Sequence, residues 1–204
     1  MSRLHHFWNS ANSYKIRLLL SELGRPYDSA ALDRANRAQK EAAFLAVNPR
    51  GQVPAWEEAP GQVLIESAAI LFYLAHGTAL LPKDPWLQAQ VLSWLFYEQQ
   101  HLCNQGAGMA HFWTHVTNQA EAKKAELEVA REKARTEFAY LEKHLQGRDW
   151  FVGDSMTVAD IAIYGYTHRA PIAGIALEPY PNVMAWMARV CARPCHIRFE
   201  DKPA

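Results

Sequence analysis

Little in this chain addresses a charged polymer or a membrane. Its 21 basic and 21 acidic residues cancel across 204 positions, so no global field recruits nucleic acid or an anionic bilayer. Ile16 to Leu20 is apolar except for Arg17 and falls far short of the roughly 20 residues that cross a hydrocarbon core. Met1 to His6 carries no apolar targeting run, so a cytoplasmic protein is expected. Cysteine is scarce: Cys103, Cys191 and Cys195 form an odd set without framework spacing. That argues against a disulfide scaffold and for reduced thiols. Metal signals are thin. His111 and His115 have i, i+4 spacing but lack the zincin glutamate and a third ligand, and adjacent His5 and His6 on a strand point to opposite faces. No metal is expected. Gly106-Ala107-Gly108 follows no strand and reads as no phosphate loop. Internal repeats and low-complexity stretches are also missing.

What is present is a core-forming composition, 50% hydrophobic, arranged in two styles. Leu4 to Trp8 suits a strand, and Asn9 to Ser13 is rich in turn and N-cap residues. Ile16, Leu19, Leu20 and Leu23 then recur on one helical face, closed by Gly24 and Pro26. Tyr27 to Leu32 reads as a second strand, parallel to the first as in a βαβ unit. Residues 33–48 are polar until Phe44 and Leu45. Gln52 to Trp56 and Val63 to Ile65 then form a hairpin around Ala59-Pro60-Gly61-Gln62. Ser67 is placed to cap a helix carrying Ile70, Leu71 and Leu74.

From residue 87 the pattern is helical only. Leu87, Val91, Trp94 and Leu95 keep helical spacing. Leu127, Ala130, Ala134, Phe138, Leu141 and Leu145 share one face of a long Ala/Glu/Lys-rich helix. Helices also start near Thr157 and after Pro181, with Val183, Trp186, Met187 and Val190 inward. The fold class is therefore α/β plus all-α. A domain at 1–79 is followed by a proline-rich linker at 80–86 and a helical domain at 87–204.

Three places carry chemistry. Val53-Pro54 interrupts a strand, where proline removes a donor. An edge-strand proline and a cis peptide that turns backbone groups toward a peptide-like ligand both fit, and the scarcity of cis X–Pro bonds, about 5–6%, favours the former. Glu66-Ser67 opens a helix whose N–H groups and hydroxyl suit a carboxylate, while Glu66 suits an ammonium. Ser10-Ala11-Asn12-Ser13 opens the first helix. A hydroxyl or amide there either caps the helix or donates to a bound sulfur. Lowering a thiol pKa of about 8.5 by two units requires about 2.7 kcal/mol of differential stabilisation, within reach of a charge-accepting hydrogen bond at a helix N-terminus.

These motifs together resemble the cytosolic glutathione transferase superfamily. Asn48-Pro49-Arg50-Gly51-Gln52-Val53-Pro54, with Glu66-Ser67-Ala68-Ala69-Ile70-Leu71 following, is similar to its glutathione-binding half. Ser10-Ala11-Asn12-Ser13-Tyr14-Lys15 resembles its catalytic loop, and Gly153 to Ile161 its helical-domain capping motif. The resemblance covers residue 4 to about 195. It implies a thioredoxin-like βαβ-ββα domain followed by a helical bundle, in a homodimeric detoxification enzyme. It implies that the Val53 backbone, with Pro54 cis, holds the cysteinyl part of glutathione, that Gln52 is among the glutathione-binding residues, that Glu66 and Ser67 hold the γ-glutamyl end, and that Gln39 or Lys40 faces the glycyl end. Ser10 matches the thiol-activating serine of theta-, zeta- and nu-like members, Asn12 a residue that nu-like members also present to the thiol, and Ser13 is a third candidate at the cap.

Tyr14 lies past the usual tyrosine position, and the loop has no cysteine, so glutathione itself is the expected nucleophile. Tyr97, His101 and Asn104, spaced 4 and 3 apart in an aromatic and polar stretch, are expected to line an electrophile pocket. Ordinary helix packing is the other reading of that stretch. Thr157 and Asp160 form a capping box, stapled by Met156 and Ile161, with a folding role only. Three activities remain open: transfer of glutathione to an electrophile, glutathione-dependent disulfide or peroxide reduction, and a non-catalytic glutathione-binding scaffold.

Overall fold

A computed structural model describes residues 1–202. Strands β1 (Arg3–His6), β2 (Asp28–Ala31), β3 (Ala55–Ala59) and β4 (Gln62–Ile65) form a sheet in the order β2-β1-β3-β4. β1 pairs parallel with β2, and antiparallel pairings join β1 to β3 and β3 to β4. Helix α1 (Ala11–Glu22) makes the βαβ crossover, a 3₁₀ turn (Ala38–Lys40) and α2 (Ala42–Leu45) fill the irregular stretch, and α3 (Ser67–Ala75) follows the hairpin. The expected thioredoxin-like βαβ-ββα arrangement is therefore observed. Val53–Pro54 is cis, and β3 begins only after it, at Ala55.

The helical part contains α4 (Pro85–Tyr97), α5 (Ala107–His111), α6 (Lys124–His144), α7 (Val158–Thr167) and α8 (Pro181–Cys191). Helix α4 starts inside the expected linker because Pro85 occupies its first turn and Asp84 Oδ1 accepts from Leu87 N at 2.9 Å. All six α6-face residues anticipated by periodicity are buried. No helix among the described residues is long and apolar enough to cross a membrane.

The chain forms two compact units, one of Met1–Leu74 with the tail from Cys195, the other of Ala75–Pro194. Within the first, the tail runs over α1. Tyr14 Oη donates to Ile197 O at 2.7 Å, Arg17 to Phe199 O at 2.8 Å and Asp201 O at 2.7 Å, and Ser21 Oγ to Cys195 O at 2.7 Å. The periodicity assigned α1 one apolar face, yet every residue from Ser13 to Leu20 is buried. Lys15 at 0% and Arg17 at 1% exposure are included. Over Tyr14 and Arg17 the tail supplies cover that the local pattern could not reveal.

In the second unit, π-helical turns at Glu98–Cys103 and Phe112–Val116 flank α5. A Cβ on Gly108 would lie 2.3 Å from Cys103 O, so only glycine lets these backbones meet. The capping box of α7 forms as expected. Asp160 Oδ2 accepts from Thr157 N at 2.8 Å, and Asp160 Oδ1 also accepts from Phe151 N at 3.1 Å and Trp186 Nε1 at 2.9 Å. Complete burial pushes this carboxyl up to about 6 against the pull of those donors.

Candidate functional site

In the first unit, the loop leaving β1 brings Ser10 to the head of α1 in extended geometry. Its Oγ accepts from Ser13 N at 3.3 Å, an ordinary N-cap. Capping uses a lone pair. A hydroxyl still owns one O–H donor, so the cap and a hydrogen bond to sulfur are compatible on one side chain. Ser13 is different: it is 0% exposed, and its Oγ has no hydrogen-bond partner among the described residues.

Asn12 links two helix starts. Its Oδ1 accepts from Lys15 Nζ at 2.8 Å and from Ser67 Oγ at 3.4 Å. Ser67 is the first residue of α3, and Ile70 N bonds to Glu66 O at 3.0 Å. Glu66 therefore holds the cap position that the sequence reading gave to Ser67. Glu66 has φ of +69°, an unfavourable region for a side-chain-bearing residue, and such strain concentrates at ligand sites. Its exposed carboxylate lies 3.8 Å from Arg50 Nη1.

The remaining ligand candidates sit on the adjoining turn. Asn48 Nδ2 donates to Gln52 O at 2.8 Å and Asn48 Oδ1 accepts from Arg50 N at 3.1 Å, which shapes the segment entering Val53–Pro54. Lys40 Nζ donates to Arg50 O at 3.0 Å. A Cβ on Gly51, whose φ is +59°, would fall 2.6 Å from Gln39 O and 2.8 Å from Lys40 Nζ. Glycine is what brings the 3₁₀ turn against this segment. The structure thus joins Ser10, Asn12 and Ser67 around two helix N-termini, and ties Lys40 to the Arg50 turn. Sequence reasoning missed Lys15 and Arg50 as members of this network. A lysine among the apolar residues of α1 was the available signal for the first.

The pocket candidates of the second unit divide. Tyr97 Oη donates to Glu137 Oε2 at 2.5 Å, His101 Nδ1 lies 3.3 Å from Glu137 Oε1, and the two rings stack at 4.8 Å. Burial first, then Glu137, drives the Tyr97 phenol far above its ordinary range, so it stays protonated. Asn104 is exposed and ends the π-helical turn. His111 and His115 lie 5.5 Å apart by ring centroids, and His115 Nε2 is 2.6 Å from Ile172 O. Among the described residues no group of three metal-ligating side chains converges.

Comparison with known proteins follows the same division of the chain. Residues 2–76 match the glutathione S-transferase N-terminal domain, and residues 105–194 its C-terminal domain. Glutathione S-transferase GstB of Escherichia coli is 32% identical over 190 residues, covering 91% of each chain. Disulfide-bond oxidoreductase YfcG of the same organism is 30% identical over 198 residues, covering 93% of this chain and 90% of that protein. A possible glutathione S-transferase from Rhodopseudomonas palustris superposes with a TM-score of 0.95 at 39% identity, covering 100% of this chain and 91% of the other. A glutathione transferase family member from Pseudomonas fluorescens, solved with two glutathione bound, gives a TM-score of 0.85 at 28% identity, covering 99% of this chain and 93% of that one.

Proposed function

This chain belongs to the glutathione S-transferase family, and on that premise we propose that it is a serine-type, theta/zeta/nu-like enzyme that activates the thiol of bound glutathione for attack on a small electrophile. Glu66 receives the γ-glutamyl ammonium and Ser67 the carboxylate. The Val53 backbone before Pro54, with Gln52 beside it, pairs with the cysteinyl unit. Lys40 and Gln39 face the glycyl carboxylate. The observation that carries the reading is the Ser10 hydroxyl, whose lone pair takes Ser13 N–H and whose proton is the natural donor to sulfur at the head of α1. Asn12 is its neighbour, and Ser13 is the lesser candidate because it is enclosed. The sulfur adds to the electrophile as its proton leaves to solvent, and the leaving group departs with the bonding electrons.

The test is the titration of thiolate absorbance of bound glutathione. Ser10→Ala is expected to raise the midpoint and lower kcat by about 10² or more, the scale of losing one donor to a developing anion. Unchanged midpoint and turnover in both Ser10→Ala and Asn12→Ala sink the assignment.

Disulfide reduction is the second reading, favoured by the likeness to a protein named a disulfide-bond oxidoreductase and to a structure holding two glutathione. One glutathione thiolate attacks the disulfide and expels a thiolate. A second attacks the resulting mixed disulfide, yielding oxidised glutathione and two thiols in total. Parallel assays with an aryl halide and a small disulfide separate the readings. Tyr97, His101 and Asn104 belong to the proposal as electrophile-facing residues, and their alanine variants should change KM for the second substrate and leave glutathione affinity intact. A cytoplasmic homodimer is part of the same reading, checked by sedimentation. Failure to bind millimolar glutathione would leave a scaffold role.

A further inference from the structure

Ser10 stands at the end of a turn, and that turn is gripped from two distant parts of the chain. Ser10 N donates to Phe7 O at 3.3 Å, which makes Trp8 and Asn9 the central pair of a β-turn closing on Ser10. Cations hold every residue ahead of Ser10 in it. The Arg34 guanidinium lies 4.7 Å over the Phe7 ring, and its Nη1 donates to Asn9 Oδ1 at 3.4 Å. The Arg17 guanidinium lies 5.0 Å over the Trp8 ring, and its Nη2 donates to Trp8 O at 3.4 Å. The same Nη2 donates to Phe199 O at 2.8 Å, and Nη1 donates to Asp201 O at 2.7 Å. Lys202 Nζ adds a second cation 5.7 Å over the Trp8 ring. One nitrogen thus bridges the turn before Ser10 and a tail carbonyl 182 residues beyond Arg17.

A guanidinium at 1% exposure depends on protein acceptors, because burial removes the water that would otherwise serve its fork. Here the acceptors come from the turn and from the tail, so the two share one hub. Withdrawing the tail carbonyls takes away the two shorter of these three bonds, and a shift of the cation carries the Trp8 carbonyl and ring with it. We infer that the tail over residues 195–201 is a positioning element of the sulfur loop: docked on α1 it fixes Arg17, Arg17 fixes Trp8, and Trp8 sets where the Ser10 hydroxyl stands. This rests on the glutathione reading above. The other tail anchors serve the docking itself. Tyr14 Oη donates to Ile197 O, Ser21 Oγ donates to Cys195 O, and the Phe199 ring lies 5.4 Å from that of Tyr14. Such coupling is reciprocal, so a bound thiolate that engages Ser10 must tighten the tail by the factor with which the tail favours the thiolate.

The experiment uses the full chain as wild type, Ser10→Ala, Phe199→Ala, Arg17→Met and Arg17→Lys. Thiolate absorbance of bound glutathione is titrated, and hydrogen exchange is followed over residues 7–13 and 195–201. S-methylglutathione, which has no thiol to ionise, is the control ligand. Phe199→Ala loosens the tail from Tyr14 and leaves Arg17 in place. It should speed exchange in both segments and raise the thiolate midpoint by about one unit, a tenfold loss of thiolate at fixed pH. It should lower kcat in proportion, with S-methylglutathione affinity within about twofold of wild type. Arg17→Met should shift the midpoint at least as far, and Arg17→Lys, which keeps the charge without the fork, should fall between it and wild type. Phe199→Ala and Arg17→Met each carry the test if the other does not fold. In wild type, glutathione above its midpoint should slow exchange over residues 195–201 by up to about tenfold more than S-methylglutathione does. A freed tail with a wild-type midpoint, while Ser10→Ala is shifted, overturns the tail's role and leaves the glutathione reading standing. Equal protection of the tail by the two ligands overturns it as well. An unshifted midpoint in Ser10→Ala overturns the Ser10 assignment and this inference together. Wild-type protein that binds neither ligand overturns the glutathione reading itself.

Discussion

Helices α1 and α7 begin with the same chemistry and reach opposite ends. Each opens on a hydroxyl residue in extended geometry whose oxygen accepts a backbone N–H of the first turn. At α7 the cap is closed. Thr157 and Asp160 are 1% and 0% exposed, and the carboxylate gathers Thr157 N, Phe151 N and Trp186 Nε1. At α1 the cap is partly open. Ser10 is half-buried, and the next polar group, Asn12, is held from behind by Lys15 and Ser67. A closed cap is enclosed on every side, whereas an open one keeps its hydroxyl within reach of solvent. N-cap residue type therefore does not separate an enclosed cap from an open one. What packs around the cap does.

The contrast can be broken most severely at α7. Asp160→Ala removes the acceptor of four buried donors, Thr157 N and Oγ1, Phe151 N and Trp186 Nε1, and should destabilise the second unit by about 3–5 kcal/mol, read by denaturant or thermal unfolding. A loss under 1 kcal/mol would show that the box is dispensable.

Acid is the next lever, and it acts on the first unit. His6, 0% exposed on β1, is lowered to about 4 by burial first and then by the charge of Arg17. Its neutral form is favoured in the fold, so its contribution is fully present above about 6.5 and is lost as pH falls toward 4. The shift amounts to about 3 kcal/mol. Melting curves between pH 7 and 4 should show that loss, and His6→Gln should flatten it.

At α1 the cap itself is expected to weigh little. Ser10→Ala should cost about 1 kcal/mol of stability while removing most turnover, the reverse ratio to Asp160→Ala. Equal losses of stability at the two caps would erase the distinction between them. The smallest effect is expected at Glu66. Replacing it with glycine relieves a φ of +69° and should change stability by less than about 1 kcal/mol, while glutathione KM rises through loss of the carboxylate.

Much of this was legible in the residues, for local reasons. The alternation of strand and helix, the buried face of α6 and the Thr157–Asp160 box depend on spacing within a few turns, and spacing is what a sequence displays. Pro54 was readable only in company: alone it suggested an edge strand, and with the flanking motifs it implied the cis bond that is present. Ser67 was misplaced by one position because its hydroxyl turns to Asn12, 55 residues away in the chain, while Glu66 accepts the first helical bond. Tyr97 and His101 were rightly put on one face, but their common partner, Glu137, lies on another helix. The π-helical turns left no mark in the residue spacing, although Gly108 packs tightly on Cys103 at the end of the first.

By itself, then, the sequence determined the order of elements, the two-part organisation, the family and the group of residues at the heads of α1 and α3. Those rest on periodicity, capping and turn chemistry, which act over short distances along the chain. Tertiary structure alone decided which charges are enclosed. Arg17 stands where a solitary amphipathic helix would show it to water, and the tail from Cys195, more than 170 residues later, packs against it instead. Burial is a property of what arrives from elsewhere. The same cationic group is a solubilising charge on an open face and a desolvated charge that must find partners once water is excluded.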